Sequence, residues 1–254
     1  MSTGVFLAVV GAAFLHAAWN ALIKTGESKV GTMVIMSFAQ VPLGLVVVLA
    51  MPPIRVAAIG WIAAACVILV FYKLFLTSAY ERGDLSRVYP IARGTAPLAV
   101  ALAGALVLPD RVSAPEYLAI LLLAGGVLVM ARGAATAGED RLLVPLALGA
   151  ALATAGYTLV DGIGARISES PVGYVGWVFV FDGLLFGAVM VAARGGAVVP
   201  RGGRAWLGGT LAAGASIGAY AVSVWAMTLA PIALVAALRE SAILFALLIG
   251  WLFF

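Results

Sequence analysis

AYERGDLSRVYPIARGTAPLAVALAGALVL, residues Ala79 to Leu108, opens on a charged turn, Glu81-Arg82-Gly83-Asp84, and continues as an apolar run long enough to cross a bilayer. Arg93 sits inside that run, flanked by Pro90 and Pro97. An uncompensated arginine at membrane depth is expensive, so it is expected to face protein or a wet cavity. The pattern returns at Ala226 to Phe254, AMTLAPIALVAALRESAILFALLIGWLFF. A constant offset of 147 lays Ala79 on Ala226, Val88 on Val235, Ala92 on Arg239 and Arg93 on Glu240. Two charge-bearing spans at corresponding places of two halves are what an internally duplicated transporter needs. Both charges fall about nine residues into their runs, roughly 13 Å deep at 1.5 Å per residue. A pseudo-two-fold axis would therefore bring Arg93 and Glu240 together.

Composition bounds the class. The 254 residues are 64% apolar and 10% charged, with a mean hydropathy of +1.15. A soluble domain carries about 25% charged residues, so the chain is read as an all-α polytopic membrane protein. Thirty glycines scattered through apolar runs fit close helix packing in lipid. Cys66 is the one cysteine and His16 the one histidine, which excludes an internal disulfide and any zinc, haem or iron–sulfur ligand set. No cofactor is expected. The net charge of +4 comes mostly from loops and helix ends and does not point to nucleic acid. The N-terminal apolar run lacks a basic leader and is read as the first span.

Runs of roughly twenty apolar residues predict nine helices, near 4–23, 30–50, 57–80, 86–108, 115–132, 142–163, 172–193, 205–229 and 232–254. The first also has an echo. GAAFLHAAWNALIK from Gly11 lies on GAALATAGYTLVDG from Gly149, so Trp19 meets Tyr157, Asn20 meets Thr158 and His16 meets Thr154. Helices 1–4 thus repeat as 6–9, with helix 5 closing the first unit. An odd number of spans per unit turns the second copy over. The expected organisation is an inverted repeat of five-helix units, 1–133 and 142–254, with a tenth helix missing after Phe254.

Polar stripes mark a shared cavity. His16, Asn20 and Lys24 follow i, i+4, i+8 with Trp19 beside them; Thr154, Thr158 and Asp161 match them on helix 6. Lys73, Thr77 and Tyr80 on helix 3 answer Ser216, Tyr220 and Ser223 on helix 8. Polar groups inside a bilayer are satisfied by one another, by water or by substrate. The candidate substrate and cavity residues are therefore His16, Trp19, Asn20, Lys73, Thr77, Tyr80, Arg93, Thr154, Tyr157, Thr158, Tyr220, Ser223, Arg239 and Glu240. Arg93 with Arg239-Glu240 fits a structural ion pair as well as a substrate contact. Lys73 fits the cavity or a stem snorkelling to an interface. Asp161 and Lys24, at helix ends, fit anchors as well as ligands. Asp182 has no visible partner and is read as a packed or protonated carboxyl ahead of a proton-coupling site, and His16 as a packing histidine ahead of a proton relay.

The chain resembles the EamA-type branch of the drug/metabolite transporter superfamily over essentially its whole length. The residues that carry this are His16-Ala17-Ala18-Trp19-Asn20 with Lys24, Arg82-Gly83-Asp84-Leu85-Ser86 running into Tyr89-Pro90-Ile91-Ala92-Arg93-Gly94, and Leu238-Arg239-Glu240-Ser241. The resemblance implies a ten-helix inverted repeat with a central cavity and cytoplasmic termini. The Lys/Arg distribution among the loops favours an external N-terminus instead, so orientation stays open. The implied activity is secondary transport of a small-molecule substrate in the plasma or inner membrane, driven by a coupling proton or ion or by exchange. The family's Gly-Glu turn and last helix do not follow Trp251-Leu252-Phe253-Phe254, which leaves a non-transporting subunit or a truncated transporter as the alternative. No Gly-rich phosphate loop, HExxH or GxSxG motif is present, so neither an ATPase nor an enzyme is expected.

Overall fold

The structure, a computed structural model, describes residues 1–25, 28–82, 85–130 and 141–253; side chains at 24, 25, 29, 80, 85–91, 128, 130 and 253 lie outside the description. Ten helices are described: α1 (Thr3–Thr25), α2 (Lys29–Ala50), α3 (Ile59–Arg82), α4 (Leu85–Val107), α5 (Ala114–Met130), α6 (Leu143–Ser168), α7 (Pro171–Arg194), α8 (Gly203–Met227), α9 (Ile232–Arg239) and α10 (Ala242–Phe253). Seven spans are long and apolar enough to cross a membrane, the last of them Ile232–Leu252, and α4 and α5 add the shorter apolar stretches Ala92–Val107 and Ala114–Val127. The fold is that of a polytopic helical membrane protein. Leu102, Leu106, Leu122, Leu152, Leu207 and Leu244 lie outward with 62–80% of their surface exposed. In lipid that surface carries no penalty.

The expected single helix over 232–254 is instead two. At the break, Glu240 and Ser241 donate their amides to Ala237 and Leu238, and Ile243 and Leu244 donate to Glu240 and Ser241. These bonds span three residues instead of four, tightening one turn between two α-helical arms. The polar run Arg239-Glu240-Ser241 occupies that turn, so the charge-bearing segment is a discontinuous helix.

Packing depends on small residues. α2 and α7 run antiparallel at close range. A Cβ on Gly44 would lie 2.8 Å from the Gly176 carbonyl oxygen, and one on Gly183 would lie 2.4 Å from that of Ser37. α3 and α6 are likewise antiparallel, with Phe75 against Gly149, Ile68 against Gly156 and Trp61 against Gly164. The other main pairings are α1 with α8, α4 with α6, α2 with α8, α4 with α5, and α1 with α10. Without a hydrophobic drive between helices in lipid, such backbone approach supplies the dispersion contact that holds the bundle.

Candidate functional site

Arg93 of α4 and Glu240 of the broken segment meet in the interior. Arg93 Nε lies 3.0 Å from Glu240 Oε2, with the two side chains 5% and 4% exposed. The correspondence in sequence had placed them together, and they are together. Beside them is a cavity of about 10 Å³, bordered by Thr154 and Thr158 of α6, Arg239, and the apolar Ala96, Pro97, Val100 and Ala236. That is room for roughly one water.

Arg239, buried like its neighbours, lies over the ring of Tyr220 on α8, its guanidinium carbon 5.6 Å from the centroid. The Tyr220 hydroxyl donates to Asp161 Oδ2, and the Tyr174 hydroxyl of α7 donates to Asp161 Oδ1 at 3.0 Å. Asp161 is thus a buried residue, not the interfacial anchor weighed from sequence. Tyr157 packs edge-on to Tyr72 and tilted against Tyr220. Thr154 and Ser223 donate their hydroxyls to the carbonyls of Ala150 and Ala219 on their own helices, which leaves their lone pairs as their remaining polar capacity.

On α1, Trp19 Nε1 donates to His16 Nδ1 at 3.2 Å and the Asn20 amide donates to the His16 carbonyl at 2.8 Å. With Nδ1 accepting, a neutral imidazole carries its proton on Nε2. His16 lies within electrostatic reach of Arg93 and Arg239. Arg93, Thr154, Thr158, Arg239 and Glu240 thus border one small cavity, with Tyr220 joined to it through Arg239 and His16 within electrostatic reach of both arginines.

Lys73 and Thr77 do not join it. Lys73 Nζ makes a 2.6 Å ion pair with Asp182 of α7 and a 3.0 Å hydrogen bond to Ser37 of α2, and lies 4.9 Å from the Phe186 ring centroid. Thr77 donates to the Lys73 carbonyl. The cavity role expected of Lys73 and the partnerless carboxyl expected of Asp182 are both corrected: each is the other's partner. The stripe Lys73-Thr77-Tyr80 has the right period but faces α2 and α7 at Lys73; the Tyr80 side chain, like that of Lys24, lies outside the described residues.

A clamp at one end of the bundle leaves no mark in the sequence pattern. Arg166, near the end of α6, forms a bidentate pair with Asp110 at 2.7 and 2.9 Å and donates further to the carbonyls of Met227 and Ala230. Asp110 also accepts the Ile232 amide at the start of α9. Burial disfavours the charged form of Asp110, but the Arg166 hydrogen bonds, the Ile232 amide and the arginine charge outweigh it, holding the carboxyl below its ordinary 3.8. The Leu108-Pro109-Asp110-Arg111 loop was legible only as a break between spans. Elsewhere, Arg194 at the end of α7 donates to both oxygens of Glu81 at the end of α3, which holds that carboxyl below its ordinary value.

No protein-family model matches the chain, and no curated protein matches it in sequence. The fold has a solved counterpart. A structure described as "Crystal structure of protein" superposes with a TM-score of 0.76 over 98% of this chain and 89% of the other, at 20% sequence identity. That likeness establishes a shared fold across nearly the whole length of both chains.

Proposed function

We propose that the chain is a secondary transporter of small organic metabolites, similar to the EamA-type drug/metabolite transporters and built from two inverted units, 1–133 and 142–254. The observation that carries this is the buried Arg93–Glu240 pair at a broken helix, joining one unit to the other beside a small cavity that Thr154, Thr158 and Arg239 also border. Transporters place binding sites at the interface of inverted repeats, on discontinuous helices whose charges would otherwise be too costly in lipid. The packing supports the duplication. Exchanging α1 for α6, α2 for α7, α3 for α8 and α4 for α9 turns the α1–α8 contact into α6–α3 and the α2–α8 contact into α7–α3, and all four are made. The antiparallel course of α2 and α7 supports inversion, because corresponding helices of inverted units run in opposite directions.

The central site then comprises His16, Trp19, Asn20, Arg93, Thr154, Tyr157, Thr158, Tyr220, Ser223, Arg239 and Glu240, in a plasma or inner membrane. Substrate reaches it by alternating access, coupled to an ion or proton gradient or to exchange. The test is a thermal-shift screen of purified protein against amino acids, polyamines, sugars and phosphonates, followed by uptake of each hit into proteoliposomes. A stabilising compound that the protein carries across the bilayer, with Glu240→Gln abolishing the flux, supports transport. Binding with no flux in either direction contradicts it.

A further inference from the structure

Arg239 is a buried cation with no carboxylate within 4.0 Å among the described residues; Glu240 beside it is turned to Arg93. Arg239 borders the cavity on one side and covers the Tyr220 ring on the other. The hydroxyl of that same Tyr220 donates to Asp161, a residue 1% exposed whose other carboxylate oxygen accepts from the Tyr174 hydroxyl. Among the described residues, the other titratable groups within electrostatic reach of Asp161 are Cys66 of α3 and Asp182 of α7, the latter paired with Lys73, and neither is a cation. Arg93 of α4, packed against α6, is committed to Glu240. One cation therefore serves a resident carboxylate at second hand and has a face open to the cavity.

We propose that Arg239 receives the carboxylate of the substrate and that Asp161 takes up one proton when it does, so that an organic anion and a proton are carried together. This rests on the transport reading and names its substrate class. A guanidinium docks a carboxylate in bidentate fashion. Once it does so, its charge no longer compensates Asp161, and a carboxylate this far from water cannot stay ionised without compensation. The proton comes from solution and rests on an Asp161 oxygen; no bond between heavy atoms is made or broken. A tyrosine hydroxyl that donates to the carboxylate can rotate to accept from the acid, so the same two residues hold both forms. The cavity holds roughly one water in this conformation. An anion is admitted only when the Arg239-bearing arm moves at the tightened turn after Ala237, which ties binding to movement.

Reciprocal linkage fixes the sign: if the anion promotes protonation, acid promotes anion binding. The experiment follows tryptophan fluorescence of the full chain in detergent while titrating benzoate and succinate, with benzamide and succinamide as uncharged counterparts. The acids bind and the amides do not, and affinity tightens by about tenfold per unit fall in pH over the range where one proton is taken up. Asp161→Asn binds the acids with the low-pH affinity at every pH, and Arg239→Gln binds neither acid. Amides binding as tightly as acids, or no acid binding at any pH, overturns the anion assignment. An unchanged slope in Asp161→Asn overturns the proton assignment. Should Asp161→Asn fail to fold, Tyr220→Phe removes one of the two hydroxyls and displaces the slope along the pH axis; an undisplaced slope overturns the proposal. Proteoliposome uptake of an uncharged compound by the same preparation would leave transport standing while sinking this inference.

Discussion

Replacing Lys73 or Asp182 singly is expected to cost far more than replacing both. The ammonium and carboxylate are 2.6 Å apart with side chains 6% and 0% exposed. At an effective dielectric of about 20, their attraction amounts to about 6 kcal/mol. Desolvation of the two ions, several kcal/mol each, cancels most of that, so the intact pair contributes little net stability. Asp182→Asn removes the compensation alone and strands an ammonium beside Val34, Val70, Phe186 and Met190, an apolar cluster. Either single change, Asp182→Asn or Lys73→Met, should therefore cost about 3–5 kcal/mol. The double variant Lys73→Met/Asp182→Leu should recover to within about 1–2 kcal/mol of wild type, because both charges have gone. Reversible unfolding of purified protein in mixed micelles, followed by far-UV circular dichroism, gives the three values. If the two single losses simply add in the double variant, the residues do not interact and the ion pair is wrong.

Three further outcomes are expected. A double-mutant cycle on Arg93→Leu and Glu240→Leu should show coupling of about 1–3 kcal/mol; simple additivity would mean that proximity at 3.0 Å carries no interaction. Gly183→Val places a Cβ 2.4 Å from the Ser37 carbonyl oxygen and should cost about 1–3 kcal/mol by forcing α2 and α7 apart, whereas Gly11→Ala, with open space around it, should be neutral or stabilising in the same unfolding assay. The depressed Asp110 carboxyl contributes stability that is fully present above its unfolded value near 3.8 and is lost as pH falls through its lower folded value. Wild type should therefore lose stability below about pH 4 relative to Asp110→Asn, and parallel acid profiles would show that the Arg166 clamp does not tune Asp110.

What was legible in the sequence follows from where information is local. Spans are local, because hydropathy over twenty residues decides membrane insertion, and the expected boundaries fall within a few residues of the helices except at two ends. α6 runs on to Ser168, five residues past its expected end at 163, and that extension moves Asp161 from an apparent helix terminus into the interior. The break after Arg239 was invisible because apolar residues flank it on both sides and no proline or glycine marks it. The meeting of Arg93 with Glu240 was readable because an internal echo aligned them. That of Lys73 with Asp182 was not, since the partners are 109 residues apart and occupy no corresponding positions. Periodicity put Lys73 on a face without saying which neighbour that face meets. Tyr174 and Asp110 were missed for a related reason: each acts through a partner on another element, Asp161 of α6 and Arg166 of α6.

Access to the central site from both sides of the membrane is the direct test of the account. Cys66 is the one native cysteine, so a background with Cys66→Ala lets a single new thiol report alone. Thr158→Cys sits on the cavity wall, and Leu152→Cys on the same helix lies on the exposed outer face of the bundle. Membrane-impermeant thiol reagents are added in turn from the outside and from the inside of sealed vesicles. Alternating access predicts that position 158 reacts from either side and position 152 from neither. Reaction at 158 from one side only, or from neither, would contradict a transporter with its site between these helices.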